Sequence, residues 1–490
     1  MVRTDAGAVA GLWREHRSGD GSVSRAAVFL GVPYAEPPVG ELRFRAPVSR
    51  APWEGERPAS LHGATPQRRS PWGDPFVPEP SIPGDDLLTL DVGTPDPSPA
   101  AGLPVLVYLH GGAFLAGSHA SPWYGGQAFH RDGVVTVAPA YRLGFDGFGW
   151  IDGAPPNRGV LDWLAALEWV RRNIRAFGGD PDRVTIAGQS AGGAAVMRLL
   201  ALPAARGLFR GALALSPADV PMTEDRACIA AGRVATRLGV TPDLAGLASV
   251  SERDLLAAQD AAVDPVAVDP FGGRFDPALP LAPVIDGDLV PHSVSDAIAA
   301  GVGDDVALLI GSTAHEFNTA VDASAPALRD LDPLAILARM GVPEGLRGPL
   351  AARAPAPDAA SVAGQAFTDL EFRRHVAGWA AARATGAAAV RTWAYDFRWP
   401  APDTGLAVHC LELPFGFDIL RDREAVRRAG ADAPQALADA VHGDWLSLIV
   451  DGRVDAPIHG GEGVTVVYGE PIREIRDAYL FERRLAEETR

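Results

Sequence analysis

The segment from Arg183 to Leu200 places a G-x-S-x-G motif between a predicted strand and a predicted helix. Val184, Thr185 and Ile186 are typical of a buried strand, and the alanine-rich residues after the motif favour a helix. Glycines at such a junction leave room where strand and helix crowd together, and the sharp turn exposes the hydroxyl of Ser190. The pattern therefore predicts a nucleophile elbow. The alternative is a glycine-rich turn whose exposed serine has no chemical role.

Continuous apolar runs elsewhere predict strands that are covered on both faces of a parallel sheet. These runs are Leu103–Leu109, Val134–Ala138, Leu213–Leu215, Val306–Ile310 and Thr392–Phe397. Residues Asp85–Val92 alternate apolar and polar positions and predict a half-buried strand. Apolar residues at helical spacing predict a helix over 160–174, capped by Asn157 and ended by Gly178–Gly179. This alternation of strand and helix predicts an α/β fold with an open parallel sheet.

The chain shows no internal repeat and no linker that divides it, so residues 1–490 are predicted to form a single catalytic domain. Two stretches rich in alanine and leucine are predicted to be helical cap insertions, at about 222–276 and 318–386. Large α/β enzymes often reach this length as one unit.

Charge and composition exclude several classes of function. The net charge of -17 argues against nucleic acid or an anionic membrane surface as a partner. Every basic residue apart from histidine is arginine, which excludes a lysine Schiff base and a P-loop lysine. The two cysteines, Cys228 and Cys410, form no C-x-x-C motif, and no metal or cofactor is expected.

The sequence also indicates where in the cell the protein is expected. No window approaches the roughly 18 apolar residues of a membrane span, and the first residues lack the apolar stretch of a signal peptide. A cytoplasmic protein is expected, and its oligomeric state is not encoded in any motif.

A serine nucleophile needs a histidine to accept its proton and a carboxylate to orient that histidine. In a sheet of this kind the chain order is serine, acid, histidine. Glu316 follows a predicted strand, where open sheets place their sites, and His409 lies in a loop just after another strand. The later histidines predicted to lie on solvated faces or at helix ends are His375, His442 and His459.

Backbone N–H donors for a developing oxyanion are predicted in the small-residue loop 110–113, which follows the strand Leu103–Leu109. The N–H of Ala191, next to the predicted nucleophile, would join them. Each such donor contributes about 10²–10³ in rate. A plain glycine turn would also account for Gly111 and Gly112, but not for its position at this strand end.

Several segments, in this order, resemble the type B carboxylesterase and cholinesterase family of α/β-hydrolases, from about Gly11 to Trp445. They are GVPYAEPP at 31–38, DDLLTL at 85–90, HGGAF at 110–114, YRLG at 141–144, FGGDP at 177–181, GQSAGG at 188–193 and HCLELPF at 409–415. The resemblance implies an α/β-hydrolase fold, with a central, mostly parallel sheet flanked by helices, and a bacterial-type serine carboxylesterase that needs no cofactor.

The same resemblance implies roles for individual residues. Ser190 would be the nucleophile, Glu316 the acid and His409 the base. The implied oxyanion donors are the backbone N–H groups of Gly112, Ala113 and Ala191. Other implied positions are Ser216, a buried serine near the catalytic groups, and a structural ion pair between Arg43 and Asp85.

The chain departs from the family pattern at several positions. Gln189 stands where many relatives carry glutamate, which removes an anionic group and disfavours a cationic choline substrate. Phe317 follows the predicted acid where glycine is common, and this could shift the loop of the acid. Thr65 and Leu87 replace the cysteines of the first family disulfide. Two further departures are Pro217 and Trp163.

We expect hydrolysis of uncharged carboxylic esters through an acyl-enzyme. The same three residues could instead cleave carbamates, amides or lactones, and a non-catalytic binding protein is a third alternative. The sequence of the loops around 70–83 and 222–350 does not indicate what size of acyl or alcohol group the site accepts. Aromatic residues that either line a gorge or belong to the core are Trp72, Trp123, Phe145, Trp150 and Phe271.

Overall fold

The structure is a computed structural model that describes residues 1–17, 23–66, 75–218, 222–263, 281–319, 328 and 330–489. Its strands are β1 Val2–Arg3, β2 Ala8–Ala10, β3 Leu12–Arg17, β4 Val23–Pro33, β5 Glu56–Pro58, β6 Thr89–Thr94, β7 Leu103–Leu109, β8 Val135–Pro139, β9 Gly179–Gln189, β10 Gly211–Leu215, β11 Met222–Thr223, β12 Val284–Ile285, β13 Ala307–Thr313, β14 Thr392–Phe397, β15 Val464–Tyr468 and β16 Arg473–Arg476.

Eleven of these strands form one sheet in the order β16-β15-β14-β13-β10-β9-β7-β8-β6-β4-β3. The strands from β15 to β8 pair in parallel, and the pairs at both ends of the sheet are antiparallel. The sheet predicted from the apolar runs, mostly parallel at its centre, is confirmed. Two small sheets, β1-β2-β5 and β11-β12, lie beside it.

Helices connect these strands. They are α1 Gln127–Arg131, α2 Gly144–Phe148, α3 Arg158–Asn173, α4 Ala191–Leu200, α5 Glu224–Leu238, α6 Leu244–Ala248, α7 Glu252–Val263, α8 Val294–Ala299, α9 Pro333–Arg339, α10 Glu344–Ala351, α11 Ala359–Thr368, α12 Arg374–Ala382, α13 Leu413–Gly416, α14 Arg423–Ala429, α15 Gln435–Asp451 and α16 Leu480–Glu488. A π-helix, Asp369–Arg373, joins α11 to α12. Among the described residues, no helix combines the length and apolar character needed to cross a membrane.

Both faces of the sheet are covered by helices. Val105 and Val107 of β7 belong to a hydrophobic core that includes residues of α3 and α4. Leu106 and Tyr108, which alternate with them, belong to a second core that includes residues of α15. The continuous apolar character of β7 therefore follows from burial on both sides.

The two regions predicted to be helical insertions are helical where they are described. Region 222–276 contains α5, α6 and α7, and its residues 264–280 lie outside the described part of the chain. Region 318–386 contains α9 to α12; α9, α10 and α11 share a third apolar cluster with Leu485 of α16, whereas the buried apolar residues of α12 belong to the first core. Their function as a cap stays a prediction.

Two local predictions are wrong. Strand β6 begins at Thr89 rather than Asp85, and all six of its residues are buried, because β4 and β8 flank it within the sheet. Asn157 does not cap α3: its amide donates to the carbonyl of Val284 (2.8 Å) and accepts the N–H of the same residue (2.7 Å). Asn157 therefore anchors α3 to β12.

The ion pair implied between Arg43 and Asp85 is also absent among the described residues. The Nε of Arg43 lies 3.4 Å from the carboxylate of Asp146, and its guanidinium donates to the carbonyl of Val250. Arg43 thus ties the N-terminal region to α2 and to the end of α6.

A different pair is fully buried near the sheet. Arg142 donates to both carboxylate oxygens of Asp162, over 2.8 and 2.7 Å, with side chains only 3% and 0% exposed. Arg142→Met leaves the Asp162 charge uncompensated and should lower the free energy of unfolding by about 3–5 kcal/mol. Urea denaturation followed by tryptophan fluorescence measures this loss.

The matched control is Arg172→Met, because Arg172 pairs with Asp5 at the surface, with side chains 43% and 44% exposed. An exposed pair contributes about 0–1 kcal/mol. Equal losses for the two variants would contradict the structural role assigned to the buried pair.

Candidate active site

The predicted elbow is present between β9 and α4. Ser190 is half-buried and has φ 60° and ψ -125°, a conformation that costs about 1–3 kcal/mol. A Cβ on Gly188 would lie 2.4 Å from the carbonyl carbon of Gly192, and a Cβ on Gly192 would lie 2.1 Å from the carbonyl oxygen of Leu109. Both positions therefore require glycine, and the turn presents the Ser190 side chain at the carboxyl end of β9.

Two loops bring Glu316 and His409 together. The N–H of His409 donates to the carbonyl of Glu316 (3.0 Å), and the N–H of His315 donates to the carbonyl of Ala407 (3.0 Å). The Glu316 side chain is buried; its Oε1 accepts the N–H of Thr313 (2.7 Å), and its Oε2 is hydrogen-bonded to Nδ1 of His409. A carboxylate at Nδ1 fixes the tautomer in which Nε2 of the ring accepts a proton.

The Nε2 atom of His409 is not hydrogen-bonded to Ser190, although the structure describes both residues. The amide nitrogen of Gln189 lies 3.2 Å from this atom, and its oxygen accepts the S–H of Cys410 (3.1 Å). The same amide nitrogen lies 3.4 Å from Nδ1, so it contacts both ring nitrogens over the face of the imidazole and leaves the in-plane lone pair of Nε2 free to accept a proton.

The loop after β7 lies against the elbow. A Cβ on Gly111 would be 3.1 Å from the Cβ of Ser190. Gly112 and Ala113 have positive φ angles, 116° and 55°. Within the described chain, no backbone hydrogen bond takes up the N–H groups of Gly112 and Ala113. The N–H of Ala191, at the first position of α4, has no acceptor within the helix.

His110 anchors the start of this loop. Its ring stacks on Tyr141 at 4.4 Å, its Nδ1 is 2.8 Å from the carbonyl of Gly111, and the Tyr141 hydroxyl donates to the His110 carbonyl (2.7 Å). Burial lowers the pKa of His110 to about 3. The ring is therefore neutral near pH 7 and supports the loop without acting as a base.

A buried glutamate next to the site was not predicted from the sequence. Ser216 is fully buried, as the resemblance implied, and its hydroxyl donates to Oε1 of Glu412 (3.3 Å). Oε2 of Glu412 has no hydrogen-bond partner among the described residues. Burial, followed by the charge of Glu316, raises the pKa of Glu412 to about 8. Near neutral pH this carboxyl is therefore protonated and adds no second negative charge next to Glu316.

This pKa makes stability depend on pH. The folded protein keeps the Glu412 proton up to about pH 8, whereas an unfolded chain loses it near the ordinary value of 4.5. The folded state binds more protons within this window, so the contribution of Glu412 to stability falls as pH rises. Glu412→Gln has no carboxyl group at this position and does not lose stability in this way. The difference in melting temperature, variant minus wild type, should therefore increase between about pH 5 and pH 9. A constant difference across this range would contradict the assignment.

Two aromatic rings contact the imidazole of His409. Phe317 and Phe372 stack on each other at 5.2 Å, and their centroids lie 4.7 and 5.1 Å from that of His409. Phe317, the departure from the family pattern after the acid, is half-buried and contacts the imidazole. Phe372 comes from the π-helix, and no local signal in the sequence points to it.

Other expectations about side chains near the site are corrected by burial. His442 and His459 are buried rather than at the surface, and both rings bond to backbone carbonyls, of Gly416 and Val464. The ring of His375 lies 5.6 Å from that of Trp379, and burial lowers its pKa, so it is not on a solvated face.

The aromatic residues proposed for a gorge divide into two groups. Trp123 and Phe145 are core residues with almost no exposed surface. Trp150 is partly buried against the first core. Trp72 and Phe271 lie outside the described residues.

Comparisons with known proteins agree with this architecture. The family model described as the carboxylesterase family matches residues 1–333. Para-nitrobenzyl esterase of Bacillus subtilis (strain 168) is 36% identical over 438 residues, which is 86% of each chain. Phenmedipham hydrolase of Pseudarthrobacter oxydans is 34% identical over 451 residues, 88% of this chain and 87% of that protein.

Solved structures extend the similarity to nearly the whole chain. A carboxylesterase of Geobacillus stearothermophilus superimposes with a TM-score of 0.84 at 30% identity, covering 99% of both chains. A PNB esterase structure gives a TM-score of 0.81 at 30% identity, again over 99% of each chain. The chain therefore belongs to the carboxylesterase family and is a carboxylic ester hydrolase with the α/β-hydrolase fold.

Proposed function

We propose that Ser190 is the nucleophile of this hydrolase, that His409 is its general base and that Glu316 orients and stabilises the imidazole. His409 Nε2 takes the Ser190 proton as the oxygen attacks the ester carbonyl, and the imidazolium then protonates the departing alcohol. Water, deprotonated by the same nitrogen, hydrolyses the acyl-enzyme. The observation that carries the proposal is the hydrogen bond between Glu316 and Nδ1 of His409, two residues that lie far apart in the sequence.

The oxyanion of each tetrahedral intermediate is assigned to the N–H groups of Gly112, Ala113 and Ala191. Support comes from two observations: no backbone carbonyl of the described residues accepts these N–H groups, and Gly111 lies close to Ser190. Positive φ at Ala113 is strained for a residue with a Cβ, and such strain is often found where a site must be preorganised. Donors that need no rearrangement stabilise the developing charge most effectively.

The substrate is proposed to be an uncharged ester. The test compares acetylthiocholine with its uncharged isostere, 3,3-dimethylbutyl thioacetate, because the two differ in charge and hardly in shape. The uncharged ester should have the higher kcat/KM, and a clear preference for acetylthiocholine would contradict the proposal. A p-nitrophenyl ester and the matching p-nitroanilide then separate ester from amide hydrolysis, and the ester should be strongly preferred.

Gln189→Glu should change both charge preference and pH dependence. A carboxylate 3.2 Å from Nε2 of His409 favours the imidazolium, so the acidic limb of the kcat/KM profile should move to higher pH by about one unit. The ratio of kcat/KM for acetylthiocholine to that for its isostere should rise in the same variant. Gln189→Met, which removes the amide without adding charge, is the control. Equal pH profiles for the two variants would contradict an electrostatic role.

Several further expectations stay predictions. The insertions at about 222–276 and 318–386 are proposed to act as a cap within a single catalytic domain, supported by their helical content. A cytoplasmic location and the absence of a nucleic-acid partner rest on sequence composition alone.

A further inference from the structure

Two histidines and an aspartate that are far apart in the sequence meet beside β6. His62 lies in the loop before this strand, Asp91 lies on the strand, and His119 lies in the segment that connects β7 to β8. Nδ1 of His62 is 2.6 Å from Oδ2 of Asp91, and Nε2 of His119 is 3.9 Å from the same oxygen. One ligand atom from each residue lies within 4.8 Å of the other two.

The buried histidine of this cluster has no hydrogen bond. His119 is fully buried, and within the described part of the chain neither Nδ1 nor Nε2 has a partner. An imidazole always carries a donor or an acceptor at each nitrogen, and leaving such groups unpaired in a protein interior is unfavourable.

We propose that His62, Asp91 and His119 bind a divalent first-row transition cation of the zinc class. Two imidazole nitrogens and one carboxylate oxygen are a common ligand set for such ions, and the hard ions Ca²⁺ and Mg²⁺ prefer oxygen alone. The second carboxylate oxygen of Asp91 accepts the N–H of Gly31 (2.8 Å), which orients the group as metal ligands require.

The two contacts with Asp91 need only small shifts, whereas the two histidine nitrogens, within 4.8 Å of each other, would have to approach by up to about 1.5 Å through rotation of the partly exposed His62 side chain. Tetrahedral zinc with bonds of about 2.0–2.1 Å places its ligand atoms about 3.3 Å apart. His119 would approach Asp91 by roughly half an ångström, and the contact between His62 and Asp91 would open by a similar amount. The His62 side chain is 33% exposed, so that the remaining coordination position faces solvent and can be filled by water.

This site is separate from the catalytic groups but shares a segment with them. His119 follows the predicted oxyanion donors Gly112 and Ala113 within one connection, between β7 and β8. A bound cation would fasten the far end of this connection to β6 and to the loop that carries His62. Binding to the folded state alone raises stability by mass action.

The test uses untagged protein, stripped with EDTA and carrying Cys228→Ser, because the exposed Cys228 thiol would otherwise compete for metal. Co²⁺ is titrated, and its visible absorption reports coordination by the protein. His62→Gln keeps an N–H donor for Asp91 but removes the imidazole ligand, and Asp91→Asn removes the charge while keeping an oxygen for Gly31. His292→Gln, at an exposed histidine, is the matched control.

One equivalent of Co²⁺ should bind to the parent and to the His292→Gln protein, displaceable by Zn²⁺, and Zn²⁺ should raise their melting temperature. His62→Gln and Asp91→Asn should weaken binding by about tenfold or more. If one of the two ligand variants fails to fold in EDTA, the affinity of the other for Co²⁺ tests the proposal. The absence of saturable binding, or equal affinity in the parent and a folded ligand variant, would overturn the proposal and leave His119 as a residue of the core.

Discussion

Ser190→Ala should lower kcat for p-nitrophenyl acetate by about 10⁶-fold, because no other group can form the acyl-enzyme. The remaining hydrolysis would come from binding and from the oxyanion donors. Alanine fits the space of serine and adds no new contact, so the melting temperature should stay close to that of wild type. Stopped assays with concentrated enzyme measure the residual rate.

The control for this variant is Ser249→Ala, since Ser249 is exposed and its hydroxyl donates to the carbonyl of Gly246, within its own turn. It should retain the wild-type rate. A Ser190→Ala protein that is folded and loses less than about tenfold in kcat would contradict the nucleophile assignment.

Glu316→Gln should lower kcat by about 10⁴-fold through the tautomer of His409. The N–H of Thr313 needs an acceptor, and it bonds to Oε1 of Glu316. The single oxygen of glutamine will satisfy Thr313, which turns the amide N–H₂ towards Nδ1 of His409. The ring must then carry its proton on Nε2, where it can no longer accept a proton from Ser190.

Burst kinetics and kcat across the pH range test this variant, because a wrong tautomer slows acylation and deacylation alike and leaves KM nearly unchanged. Glu412→Gln is the informative comparison: it removes a buried carboxyl near Glu316 that has no hydrogen bond to His409. Its loss of kcat should be far smaller. Equal losses in the two variants near pH 7 would contradict the tautomer explanation, because Glu412 is neutral there and does not orient His409.

The local sequence pattern was sufficient to predict the strands and the turn that position the site. Strands Leu103–Leu109 and Thr392–Phe397 have the predicted bounds, since their apolar runs end at glycine, histidine or arginine. The elbow around Ser190 was predictable because two of its glycines are required by contacts within a single turn. Such features depend on neighbours in sequence.

Contacts between distant residues were not predictable in the same way. Asn157 has the residue type of a helix cap, yet its amide pairs with Val284, more than a hundred residues later. The alternating pattern of β6 predicted a half-exposed strand, but β4 and β8 flank it, Leu90 and Val92 belong to the first core, and the His130 ring lies over Gly93 on the other face. Tertiary context decided both cases.

The same limit applies to the site. The sequence order of Ser190, Glu316 and His409 suggested their roles, but not that the Gln189 amide contacts the base. Phe372 reaches His409 from a π-helix, which no periodicity indicates. A single sequence contains no signal for contacts that form only when the loops assemble.

The most direct measurement is reaction with a fluorophosphonate, followed by intact mass spectrometry and peptide mapping. We expect one adduct per chain, on Ser190, and none in Ser190→Ala. Glu316→Gln should react much more slowly, because its His409 cannot activate the serine. A folded wild-type protein that gains no adduct, or gains it on a different residue, would contradict the assignment of Ser190 as the activated nucleophile.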